Sequence, residues 1–287
     1  MALHVLEKLA ATNPQCEIWW DSSPLVYESW KQSVLKSAPA EKQADWAAQL
    51  TRLFDPDHAE KTGEMGFRGV TTNPPLSAQA IQADPAFWAE EIRRIAAGRN
   101  VDDIEDIYWT VYLDVVRRGA AMIRKVFDRS GGKYGYLSGQ VDPRFVTDRA
   151  RMLEQGLQLA AIAPNVMVKI PGSKEGYEVI EELTARGIST NNTTSFTVSQ
   201  YVACMNAVSR GLDRAKAEGI DLSTWRSVIT HMSSRLGNIG DLKAQAEARG
   251  IALSPEDIVH GEMAVLKRAY RYGKERNHPS KMLQCSM

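Results

Sequence analysis

The chain has 287 residues, 44% of them hydrophobic, and its 35 basic side chains are balanced by 35 acidic ones. That balance excludes the global basic field expected of a protein whose main partner is nucleic acid or an anionic membrane, and the length suits a soluble α/β domain of enzyme size. The three cysteines, Cys16, Cys204 and Cys285, are odd in number and lack metal-ligand spacing, which argues against a disulfide framework and for a reducing, cytoplasmic setting.

The opening stretch, Met1 to Leu9, is amphipathic, holds Glu7 and Lys8, and lacks a basic-then-apolar leader pattern; no apolar run approaches membrane-spanning length. Glu17 to Ser23 reads as a first short strand, with Asp21 where it stops. Residues 24–66 form a long first connection, a candidate lid, with a helix near 25–36 and another after Pro39 whose apolar face carries Trp46, Leu50, Leu53 and Phe54. A second strand, Gly66 to Thr72, runs into Asn73-Pro74-Pro75, whose prolines stop the ladder. Helices are expected over 77–97 and 102–129, the second broken by Gly131-Gly132. The third strand, Tyr136 to Val141, leads into Asp142-Pro143, a turn or cap pair, and then a helix over 147–163.

Val166 to Ile170 is apolar on both alternating faces except for Lys169, the pattern of a parallel strand covered on both sides. Desolvation disfavours the charged form of a buried amine and leaves a fraction free to attack a carbonyl, which is Schiff-base chemistry. The alternative is a lysine whose stem packs while its head reaches water. Ser173 and Glu175 open a helix that carries Tyr177, Ile180 and Leu183 at helical spacing and stops at Gly187. The fifth strand, Ile188 to Thr193, is polar enough that its inward face must meet water, ligand or polar partners. A long helical pattern to Ala217 precedes a sixth strand, Val228 to Met232, ending at Ser233-Ser234-Arg235. Ser254-Pro255 opens a helix to about Tyr272, and Lys281 to Ser286 is a seventh strand. His231 reads as a packing histidine rather than a general base, and Trp19 and Trp20 as filling between strand and helices.

Alternating strands and helices with no compositional break imply one domain over 1–287, built on a parallel sheet covered by helices, either open or closed. The polar residues favour closure. Asp21, Asn73, Gln140, Lys169, Asn191 with Thr193, and Thr230 lie near the ends of different strands, the habit of the (β/α)8 TIM barrel, whose site gathers at the C-terminal strand ends.

These residues resemble the transaldolase family of class I aldolases over nearly the whole chain. Gly69-Val-Thr-Thr-Asn-Pro74 is similar to that family's second-strand motif, Gln140-Val-Asp-Pro-Arg144 to its third, Val168-Lys-Ile-Pro171 to its Schiff-base strand, and Leu183-Thr-Ala-Arg-Gly-Ile188 with Asn191 and Thr193 to its fifth. The resemblance implies that Lys169 forms an imine with a ketose phosphate, with no metal or nucleotide cofactor, and that Asp21 handles the proton of the hydroxyl at the cleaved carbon. It further implies that Asn73 and Asn191 hold substrate hydroxyls or the carbinolamine and that Thr193 positions a catalytic water. Thr230 matches a family serine, Arg235 a guanidinium that binds the substrate phosphate, and Ser286 a serine of the seventh strand. Gln140 departs from the transaldolase pattern, which has glutamate there. The related fructose 6-phosphate aldolases carry glutamine at that place, with a tyrosine that corresponds to Met232.

The reaction so implied is transfer or release of a dihydroxyacetone unit in carbohydrate metabolism, as in the pentose phosphate pathway. Two other readings compete: a divergent aldolase acting on an unusual or unphosphorylated sugar, and a non-catalytic sugar-phosphate-binding barrel. The expected partner is a small sugar phosphate, with neither nucleic acid nor membrane, and a homodimer is left open. Seven counted strands predict a barrel lacking its last strand and helix, and a natural chain that continues beyond Met287, because an unclosed barrel exposes unpaired edges.

Overall fold

Every strand expected from the sequence is present, with ends within two residues of expectation. The computed structural model describes residues 5–13, 15–55, 66–232, 235 and 241–285. Its seven strands are β1 (Ile18–Asp21), β2 (Phe67–Thr71), β3 (Tyr136–Gln140), β4 (Val166–Pro171), β5 (Thr190–Ser195), β6 (Ser227–Met232) and β7 (Lys281–Cys285), and they are hydrogen-bonded in chain order. Parallel neighbours with helices between them make this the (β/α) barrel arrangement, whose crossovers place one helix layer over the sheet. The chain divides into two compact units, Met1–Gln140 with Gln158–Met167, and Val141–Leu157 with Val168–Met287.

In the first unit, α1 (Val5–Thr12), α2 (Tyr27–Ser37) and α3 (Gln43–Leu53) flank β1 in sequence. Trp20 packs its ring on Tyr27, Trp30 and Phe67, with centroids 5.2, 4.7 and 5.6 Å away. Trp19 points to the opposite face of the strand and lies across Gly69, where an added Cβ would come within 2.6 Å of the indole. Only glycine fits there.

The single helix expected over 77–97 is two helices, α4 (Pro74–Ala83) and α5 (Pro85–Ala96). Pro85 has no N–H to continue the ladder and drives Asp84 out of helical geometry, to φ −137° and ψ 73°. Asp84 then caps the second helix by accepting from the Phe87 N–H at 3.2 Å. The long helix α6 (Ile104–Arg129) buries Val111 and Val115 against Ala80 and Trp88. Fully buried Asn165 ties this unit together, because its side chain donates to the carbonyls of Ala120 at 2.9 Å and Gly135 at 3.1 Å.

Between β3 and β4 runs α7 (Arg149–Ala160). The second unit contains α8 (Lys174–Ala185), α9 (Val198–Ala217), the short α10 (Leu242–Glu247), which the hydropathy pattern does not announce, and α11 (Pro255–Glu275). Its core is formed by Ile170, Val179, Ile180, Leu183, Val208 and Ile229, all fully buried. Helices α8 and α9 meet at Gly211, and Arg210 with Glu181 and Arg214 with Glu182 close their outer edge at 2.7 and 2.9 Å. Among the described residues no helix is long and apolar enough to cross a membrane.

Candidate functional site

All six residues of β4 are buried, as an apolar run in a doubly covered parallel strand requires. Lys169 is among them at 5% exposure, so its stem is packed within the strand's surroundings. In-register neighbours of parallel strands share a face, so the pairing of Lys169 with Asn191 and of Pro171 with Thr193 puts amine, amide and hydroxyl on one side of the sheet. The Lys169 carbonyl is held by the Val141 N–H at 3.1 Å.

Asn191 is fully buried, and the Thr230 hydroxyl donates to its Oδ1 at 2.7 Å. That bond couples the Asn191 amide on β5 to β6. Thr193 is 3% exposed, and its carbonyl accepts from the Gly172 N–H at 2.8 Å. Lys169, Asn191, Thr193 and Thr230 are therefore brought together within the second unit.

The polarity of β5 extends to both faces, beyond the inward face that sequence reasoning singled out. On the helix side Asn192 donates to the Ile170 carbonyl at 3.2 Å and is hydrogen-bonded to the Ser195 hydroxyl. His231 is fully buried, with Nε2 at 3.2 Å from the Glu262 carbonyl and its ring 5.8 Å from that of Tyr201. It sits as a packing histidine, the reading made of it from the sequence. Burial pushes the Tyr201 phenol and the Cys204 thiol well above their ordinary ranges, so neither is a nucleophile at neutral pH.

The turn after β4 is anchored by Ser173, which accepts from the Gly176 N–H at 2.9 Å and donates to the Val146 carbonyl at 2.7 Å. Asp142 acts as the cap its proline neighbour indicated, accepting from the Arg144 backbone N–H at 2.9 Å and from its guanidinium at 2.7 Å. Burial works to raise the Asp142 carboxyl, but the Arg144 bonds and charge outweigh it and hold the group below the ordinary aspartate range.

In the first unit, Asp21 is the exposed last residue of β1. Asn73 caps α4 by accepting from the Leu76 N–H at 2.9 Å, so its oxygen serves the helix and its amide N–H group remains the donor for other work. Gln140 ends β3 at 9% exposure, with its backbone N–H donating to the Tyr112 hydroxyl at 2.8 Å. Arg235 follows β6 and is exposed. Ser286 lies outside the described residues.

Two residues of the second unit escaped the sequence reading. Thr194 has φ 54°, in the left-handed region. Gln200 donates to the carbonyls of Gly172 at 3.2 Å and Thr194 at 3.1 Å, while its Oε1 accepts from the N–H groups of Phe196 and Thr197 at 2.9 and 3.2 Å. The spacing Thr197-x-x-Gln200 at the head of a helical pattern is a capping box, the one signal that could have found it.

Residues 54–287 match the family model described as transaldolase/fructose-6-phosphate aldolase. Among curated proteins the chain is 31% identical to the transaldolase of Thiobacillus denitrificans over 234 residues, which cover 80% of this chain and 63% of that protein. It is 37% identical to transaldolase 1 of Streptomyces avermitilis, over 67% of this chain and 51% of that one, and 39% identical to transaldolase 1 of Streptomyces coelicolor, over 58% and 44%. The matched segments thus span between 44% and 63% of the length of these relatives.

Proposed function

This chain belongs to the transaldolase/fructose-6-phosphate aldolase family, and on that footing we propose that it is a Schiff-base enzyme that transfers or releases a dihydroxyacetone unit from a ketose phosphate. The observation that carries the reading is Lys169, an amine on a buried parallel strand with the side chain of Asn191 beside it in register.

In this reading the Lys169 amine adds to the ketose carbonyl, and the resulting carbinolamine loses water to give an iminium. Removal of the proton from the hydroxyl on the fourth carbon then breaks the bond between the third and fourth carbons. The electron pair moves into the iminium to form an enamine, and the aldehyde leaves. Attack of the enamine on a second aldehyde gives transfer; its protonation followed by hydrolysis gives release. Asp21 is assigned the proton of that hydroxyl, Asn73, Asn191 and Thr230 the substrate hydroxyls and carbinolamine, and Thr193 the water. Arg235 and Ser286 are assigned the phosphate. Gln140 orients water but cannot take its proton, which favours a role in positioning over one in proton transfer. The substrate is a soluble metabolite, and we assign the reaction to the cytoplasm.

Borohydride reduction in the presence of fructose 6-phosphate, followed by peptide mass mapping, tests this. The added mass should fall on the peptide containing Lys169. Lys169→Ala and Lys169→Arg should fold yet form no adduct, since guanidinium stays protonated and is a poor nucleophile. An unmodified wild-type Lys169 peptide with every ketose phosphate tried would sink the proposal.

A further inference from the structure

Thr194 is the exposed residue of β5, and it is β-branched with φ 54°, a backbone conformation such residues rarely adopt. It sits within the register shift between Asn192 and Ser195, directly after Thr193. Something must hold it there.

The surrounding bonds form one closed set. The Thr194 hydroxyl accepts from the Gly172 N–H at 3.0 Å and donates to the Thr193 carbonyl at 2.7 Å. Gly172 is pressed against this loop: a Cβ there would lie 3.1 Å from the Tyr177 hydroxyl and 3.2 Å from the Ser195 hydroxyl. Gln200 then spans both strand ends, because one amide N–H group donates to the carbonyls of Gly172 and Thr194. Its oxygen is occupied by the N–H groups of Phe196 and Thr197, just ahead of α9, so the side chain can point its donors only toward the loops.

We propose that Gln200 is a positioning residue for the Schiff-base chemistry, tying the turn three residues after Lys169 to the loop one residue after Thr193 and so fixing the Thr193 hydroxyl relative to the amine. This rests on the Schiff-base reading given above. Dehydration of the carbinolamine releases a water at the reacting carbon and hydrolysis of the imine returns one there, and small displacements of positioning groups carry large rate penalties. The steps that gain or lose water should therefore feel the tether more than substrate binding does.

Gln200→Glu separates the tether from the helix cap. Carboxylate oxygens still accept from Phe196 and Thr197, but they cannot donate to the two carbonyls. The variant should melt close to wild type, trap fructose 6-phosphate on Lys169 under borohydride about tenfold more slowly, and show a larger fall in kcat than rise in KM. A second pair reports on the same set of bonds: Thr194→Ser, which keeps the hydroxyl, should trap faster than Thr194→Val, which lacks it. Equal trapping rates for folded Gln200→Glu and wild type would overturn the inference alone. Should Gln200→Glu fail to fold, equal rates for the two Thr194 variants would overturn it. No adduct in the wild type would overturn the Schiff-base reading, and this inference with it.

Discussion

Thr230 on β6 donates its hydroxyl hydrogen to the side-chain oxygen of Asn191 on β5 at 2.7 Å, and both residues are buried. A buried acceptor that loses its donor retains its desolvation cost, about 1–3 kcal/mol. Thr230→Val, nearly isosteric, should therefore lower unfolding free energy by about that amount and reduce kcat by removing one of the bonds that orient the Asn191 amide. Thr230→Ser keeps the donor and should recover most of both losses. Denaturant unfolding and steady-state kinetics on the pair check this, and a Thr230→Val protein matching wild type in both would refute it.

Gln140→Glu places a titratable carboxylate at the end of β3, where the wild type has an amide that is 9% exposed. On the proposed mechanism the variant should raise transfer to an aldehyde acceptor relative to release of free dihydroxyacetone, and should shift the pH profile, because a carboxylate can exchange a proton with water and an amide cannot. Product ratios measured across pH would contradict this if the two proteins were superimposable.

His278 has Nε2 at 3.0 Å from the Met205 carbonyl, while Nδ1 accepts from the Ser280 N–H at 3.2 Å, so the ring is neutral with its hydrogen on Nε2. Burial lowers its pKa below the ordinary histidine value, only partly offset by the Met205 bond. A lowered folded-state pKa means that the unfolded chain takes up the proton first. The contribution of His278 to stability is complete above pH ~6.5 and is lost as pH falls through the lower folded value. The urea midpoint should drop in that window, and His278→Gln, whose amide can make both bonds without titrating, should flatten the drop. Parallel profiles for the two proteins would remove His278 as the cause.

Two helical glycines should respond oppositely to alanine. At Gly211 an added Cβ would lie 2.6 Å from the Glu181 carbonyl oxygen and 2.6 Å from the Thr184 Cβ, across the packed α8–α9 pair. Overpacking against backbone costs about 1–3 kcal/mol, more than the ~1 kcal/mol gained in helix propensity, so Gly211→Ala should destabilise. At Gly261, in α11, no atom lies within 4 Å of such a Cβ. Gly261→Ala should therefore stabilise by up to about 1 kcal/mol. Melting curves of the two variants moving in the same direction would show this balance to be wrong.

Much of the architecture was legible because it rests on local pattern. The apolar run around Lys169, the prolines after Asn73 and the Asp142-Pro143 pair each encode their own geometry, and the structure places strand, cap and turn there. The break at Asp84-Pro85 was written in the same alphabet, but the helical periodicity on either side masked it. Gln200 and Thr194 were not legible for a different reason. An amide that joins two loops through backbone carbonyls leaves no periodic trace, and a left-handed threonine is imposed by those bonds rather than by its own propensity. The exact faces of β5 were hidden likewise, since a polar strand looks the same whether one side or both sides meet polar partners.

The composition of β5 also bears on the order in which the protein assembles. Thr190 to Ser195 contains no apolar side chain, whereas its neighbours supply Val168 and Ile170 on one side and Val228 and Ile229 on the other. Hydrophobic collapse has nothing to grip in β5, so a nucleus built from apolar contacts forms without it. It enters the sheet by its backbone, through ladders that exist only once β4 and β6 offer two aligned edges. Pulse-labelled hydrogen exchange during refolding should therefore find the amides of Thr190 to Thr193 protected after those of β4, so that the strand carrying Asn191 and Thr193 is the last part of the sheet around Lys169 to take shape.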